Sequence, residues 1–302
     1  MRKRLRIYLP FAANELKRQL AYKGAFYLFI LVHLFGSFIS YYLWMAIYGS
    51  SEKAVIGGLT QEEMVVYVFM VYVTGSVVTA SISTMVSEDV VKGTVAMNLI
   101  KPIDYRLSLI AMASGNMVYR FLVPSVFIWI GLEIYKIKVL GLAPVTIAGI
   151  LLYLISCVMS FLIYVLFDFC FGMLAFFTTY IFGMRMAKDA LLSFLTGQLI
   201  PISFFPDAMQ RVFDFLPFSS MVYTPVMIYL GKYTGQTLAF MLLRQAAWVV
   251  LLYVLGSLIW RQVTRRLVVL GGEWKYEYSE TLSAAVQGSG DAVFKDNYAV
   301  EG

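Results

Sequence analysis

Apolar residues run through this chain in long blocks separated by short polar stretches. The blocks cover about residues 24–48, 64–86, 121–138, 143–184, 190–205 and 243–260. About 20 apolar residues suffice to cross a bilayer as a helix. The pattern predicts an all-α integral membrane protein with six transmembrane helices. The block 143–184 would reach about 60 Å as one helix, so it reads as one long bent span or two short ones. Residues 107–119 are ambiguous, because Arg120 interrupts them.

Ahead of the first block, apolar residues recur at Leu5, Leu9, Ala12, Leu16 and Leu20, among seven cations and one acid, Glu15. That spacing predicts an amphipathic helix over 1–23 that lies in the membrane interface, with Pro10 in its first turn. The expected organisation is therefore an interfacial helix (1–23), a six-span domain (24–266) and a polar cytoplasmic tail (267–302).

Charge decides the span count and the orientation. With 143–184 as one span, the side of the termini holds sixteen lysines and arginines up to Arg266, and the other side six. The cytoplasmic face carries such an excess, so both termini are expected in the cytoplasm, at the plasma membrane. Splitting 143–184 would send Arg261, Arg265 and Arg266 outside. The composition agrees: 60% hydrophobic, mean hydropathy +0.76 and 14% charged residues, against roughly 25% charged in soluble proteins. The net charge of +6 reflects this asymmetry and implies membrane lipid, not nucleic acid, as its partner. Cys157 and Cys170 would stand about 20 Å apart on one helix, too far for a disulfide.

Conventional catalytic sets are absent. The sequence has one histidine, no HExxH, no CxxC and no GxxxxGK[ST] loop for phosphates. Its polar pieces are too short for a nucleotide-binding domain. If the protein does work, a partner hydrolyses ATP or an ion gradient drives it. His33 and Asp168 lie within apolar blocks, where ionisable groups suggest function; a packed histidine and a paired acid are the plainer readings. Arg120, Glu133 and Arg244 fall at expected span ends, where charged side chains reach headgroups. Gly75, Thr79 and Ser83 form a stripe of small residues on span two, suited to close helix packing.

Two segments stand out. Residues 87–106 (SEDVVKGTVAMNLIKPIDYR) place a short helix, about 94–100, between Gly93 and Pro102. Val95, Leu99 and Ile103 recur at steps of four, a ridge that fits a groove of another protein or rests on the membrane. In residues 197–225, Pro201 and Pro206 bend a run too short for a full span, and Asp207 can cap a short helix ended by Pro217. This reads as a half-buried hairpin on the outer side, a lid over an exit path or a structural plug.

Together these segments resemble the ABC-2 type permeases, the membrane subunits of ATP-binding-cassette exporters, and most of all a six-span bacterial branch. The likeness rests on the basic N-terminal helix, KGTVAMNLIKPI after span two, the G-x-x-I-P-x-x-x-F-P pattern of 197–206, then L-P-F and T-P. It implies a coupling helix through Lys92, Gly93, Thr94, Val95, Met97, Asn98, Leu99, Ile100, Lys101 and Pro102, docked on an ATP-binding subunit. It implies a re-entrant gate at Gly197, Pro201, Phe205, Pro206 and Pro217. It also implies two ATP-binding subunits that hold ATP and Mg, none of either being held by this chain, and a second permease, the same chain or a related paralogue. The alternative from the residues alone is an ion-coupled transporter or channel using Asp168 and His33.

Overall fold

The computed structural model describes residues 6–21, 23–178 and 181–264; the expected tail, 267–302, lies outside the described residues. The chain forms two compact units, 1–256 and 257–302, and the described part of the second is the end of the last helix. Among the described residues, five helical stretches are long and apolar enough to cross a membrane.

Helix α1 (Leu9–Ala21) starts with Pro10 in its first turn, as expected, and α2 (Lys23–Ser50) follows. A two-residue hairpin, β1 (Val55–Ile56) with β2 (Leu59–Thr60), turns at Gly57 and Gly58, both with positive φ. Thr60 and Glu63 form a capping box that starts α3 (Gln61–Val78). Helix α4 (Ile82–Val91) continues its direction after a three-residue break, and α5 (Thr94–Ile100) turns away at Gly93.

Helix α6 (Tyr105–Arg120) runs through a π turn, Phe121–Ser125, into α7 (Val126–Lys138). Pro124 lacks an amide hydrogen, and the wider turn accommodates it. Helix α8 (Ile147–Gly172) ends in a 3₁₀ turn, Met173–Phe176. Then come α9 (Phe182–Leu195), a 3₁₀ turn (Ile202–Phe204), α10 (Asp207–Phe215), α11 (Tyr223–Tyr229) and α12 (Gly235–Thr264).

Helix α3 is apolar on all sides and buried over most of its length, so it occupies the centre. Helices α2, α7, α8 and α11 pack around it. Helix α1 lies on α6, and a Cβ at Gly115 would come within 2.2 Å of the Ala12 carbonyl oxygen. The expected apolar face of α1 is divided. Ala12 and Leu16 turn toward the protein, while Leu9 and Leu20 stay exposed.

Two span expectations change, the ambiguity over 107–119 is resolved, and the single span expected in 143–184 is found. Span two is not continuous: residues 79–81 leave the helix. Residues 107–119 are helical and join span three into one stretch, Tyr105–Lys138. The block 143–184 makes a single crossing-length helix that stops at Phe176. Span five is not a helix over 190–205; α9 ends at Leu195 and an irregular path follows, because Gly197, Pro201 and Pro206 stop helix propagation.

Candidate functional site: a short helix, a broken span and a re-entrant hairpin

At the end of α4, Gly93 has φ +70, a left-handed conformation that glycine adopts without strain. The chain reverses there into α5. The Asp89 carboxylate accepts hydrogen bonds from the Thr94 hydroxyl (2.6 Å), the Asn98 amide (3.1 Å) and the Tyr105 hydroxyl (2.7 Å). One acid thus fixes α5 against α4 and the start of α6. Lys101 is extended ahead of Pro102, which ends the helix. Asp104 caps α6 through the amides of Arg106 and Leu107, and its own amide donates to the Tyr8 hydroxyl at 3.0 Å. Lys92 pairs with Glu88 at an exposed position.

The apolar ridge differs from expectation. Val95 is buried, because the side of α5 that carries Thr94 and Asn98 turns toward Asp89. Met97 at 67% and Ile100 at 84% are exposed, joined by Val91 on α4; the Leu99 side chain lies outside the described ones. A seven-residue helix with apolar residues on most sides does not reveal its outward face by spacing. The carboxylate five residues upstream of Thr94 was the available signal.

Between α3 and α4 the backbone is irregular at residues 79–81. Arg120 donates to the carbonyls of Ser76 (3.4 Å) and Thr79 (3.2 Å), and the Ser83 amide donates to Asp168 at 2.8 Å. Asp168 is fully buried and ion-paired with Lys188 of α9, which also reaches Asp189 at 3.1 Å. Arg185 of α9 donates to the Thr84 hydroxyl. Arg120 of α6 and Asp168 of α8 therefore meet backbone groups that the break frees, while Lys188 and Arg185 of α9 pair with Asp168 and Thr84. Arg120 is not at a span end, as expected, but inside a continuous helix.

The small-residue stripe meets separate partners. Gly75 faces Gln198, the Thr79 hydroxyl bonds to the Gly75 carbonyl at 2.7 Å, and Ser83 lies where a Cβ on Gly172 would come within 2.9 Å of its Cα. His33 is half-buried, with its ring edge-on to Tyr72 at 6.4 Å.

After α9, the Gly197 carbonyl accepts the Tyr67 hydroxyl at 2.5 Å. Phe204 then packs on Trp44 at 5.0 Å, and Lys232, beyond α11, reaches Glu63 (2.7 Å) and the Gly58 carbonyl (3.1 Å). Both points lie at the end of the bundle that holds the β-hairpin. Between them the chain dips inward. The Ser220 carbonyl accepts from Ser160 (2.8 Å) and Gln245 (2.9 Å), and Gln245 also accepts from Ser156 (2.9 Å). Ser160 stands about 20 Å along α8, near its middle. Residues 202–231 therefore form a re-entrant hairpin whose tip sits halfway down the bundle.

Arg244 holds this tip through Asp214 (3.0 Å), Ser219 (3.3 Å) and Thr224 (3.2 Å). It lies nine residues into α12, not at a span end. Glu133 likewise pairs with Lys136 (2.9 Å) and accepts the Tyr229 hydroxyl. Pro206, not Asp207, occupies the cap position of α10. Pro201, Phe205 and Pro217 lie along the hairpin; Phe205 packs on Phe213 at 5.1 Å. Burial at the hairpin mouth raises the Tyr233 phenol above its ordinary range, so it stays neutral.

The family model described as ABC-2 family transporter protein matches residues 25–271. The chain belongs to the ABC-2 transporter family. This permease is a membrane-embedded transport component, and its apolar helices match that role. A search of curated proteins and a search of solved structures each returned no match.

Proposed function

We propose that this permease is the transmembrane subunit of an ATP-driven exporter, and that a separate ATP-binding subunit docks on α5. Membership of the ABC-2 family supports the transport role, and the chain has no GxxxxGK[ST] loop of its own. The observation that carries the docking site is the exposure of Met97 and Ile100 on a helix anchored by Asp89. An apolar ridge on a rigid short helix fits a hydrophobic groove.

The assembly has two ATP-binding subunits, which hold ATP and Mg, and two permeases, of this chain or of this chain with a related paralogue. It sits in the plasma membrane with both termini and α5 in the cytoplasm. Closure of the ATP-binding pair shifts α5. Asp89 passes that shift to α4, and the Asp168–Lys188 pair passes it to α9 and the re-entrant hairpin. The energy enters as different affinities of the ATP-binding subunit for two permease conformations.

The test is Met97→Asp with Ile100→Asp. Val95 is unsuitable, because its buried side chain would disturb the fold. The double variant should fold with an unchanged melting temperature, lose co-purification with the ATP-binding subunit, and lose ATP-driven export. Undiminished association and export in this variant would overturn the docking site.

A further inference from the structure

We infer that a groove between α2 and α7 is a binding site for one acyl chain of a membrane phospholipid, resident in the fold and distinct from the cargo. The cavity has a volume of about 550 Å³. Its walls are Leu34 and Phe38 of α2 and Phe127 and Ile128 of α7, with Phe69 of α3 as its floor. Helices α2 and α7 each pack on α3, and the groove occupies the space between them.

Three observations fix the occupant. First, the lining is almost wholly hydrocarbon and aromatic, and both walls belong to crossing-length helices whose outer sides are exposed. Water gains too few polar partners there to be held. Second, the groove runs from Pro124 to Tyr135 along α7, about 16 Å, and from Ile30 to Tyr42 along α2, about 18 Å. One leaflet contributes half of a hydrocarbon core of about 30 Å, so the length suits one chain of one leaflet. Third, the depth has an origin in sequence. Gly131 contributes no side chain, a Cβ there would meet nothing within 4 Å, and the π turn around Pro124 bounds the other end. Tyr41 and Tyr135 line the upper end and supply a few polar atoms to the groove.

The chain therefore supplies the packing between α2 and α7 that no side chain provides. The test compares native protein with Gly131→Trp, which fills the groove from a position with open space. Native mass spectrometry in mild detergent should show one retained phospholipid per wild-type chain and at least a tenfold loss in the variant. A phospholipid with a photoreactive acyl chain should label the groove walls several-fold more than outward-facing Leu251 of α12. The inference fails if wild type and Gly131→Trp retain equal phospholipid, or if groove and Leu251 label equally. It also fails if Leu34→Cys crosslinks two copies of the permease, since a second protein then covers the groove. If Gly131→Trp does not fold, Ile128→Trp and the labelling ratio in wild type decide the matter.

Discussion

Two places bring irregular backbone deep into this bundle, and they are stabilised in opposite ways. At residues 79–81, ionised side chains do it: Arg120 covers two carbonyls, and Asp168, paired with Lys188, covers an amide. At the hairpin tip, a neutral mesh of Ser156, Ser160 and Gln245 holds the Ser220 carbonyl, and Arg244 is a single charged clasp beside it. A buried charge without its partner is expensive, whereas a neutral group loses about one hydrogen bond. The break in span two is therefore the place where one substitution does most damage, and the tip is the more tolerant of the two.

That contrast can be broken or sharpened by mutation. Asp168→Ala leaves the buried Lys188 with only the half-exposed Asp189 and removes the acceptor of the Ser83 amide, and should lower stability by about 3–5 kcal/mol, read as a large drop in melting temperature in detergent. If Asp168→Ala melts like wild type, the ion pair is not the support described. Gln245→Leu removes the neutral mesh and should cost about 1–3 kcal/mol; a loss as large as that of Asp168→Ala would erase the distinction between the two sites. Gly93→Ala places a side chain at positive φ and should cost about 1–2 kcal/mol, with α5 less firmly oriented and export reduced more than stability. Lys92→Ala breaks only an exposed pair, with both side chains more than half exposed. It should change stability by less than about 1 kcal/mol.

What the sequence disclosed follows from the range of the forces involved. Helix α5 was legible because Gly93 and Pro102 act on their own neighbours. The crossing helices were legible because a span needs about 20 apolar residues in succession. The break at 79–81 was not legible: Thr79, Ala80 and Ser81 include no glycine or proline, and the break depends on Asp168 and Arg120, 41 or more residues away. Arg120 and Arg244 were misplaced for the same reason. A lone arginine in an apolar run reads as a span boundary, and only the folded partner, free carbonyls or Asp214, shows that it lies within a helix. The 190–205 block had the composition of a short span, but Gly197 and Pro201 divide it between α9 and the hairpin.

One contact limits how any displacement of α5 can spread. Helix α1 touches α6 so closely at Gly115 that no side chain fits between them, and Tyr8 ties its beginning to Asp104. Riveted at two points, α1 and α6 form a single stiff plate. Such a plate cannot slide internally, so under the proposed docking a thrust on α5 would pass along α4 into the interior, and a bulkier residue at 115 would loosen the rivet and let it dissipate.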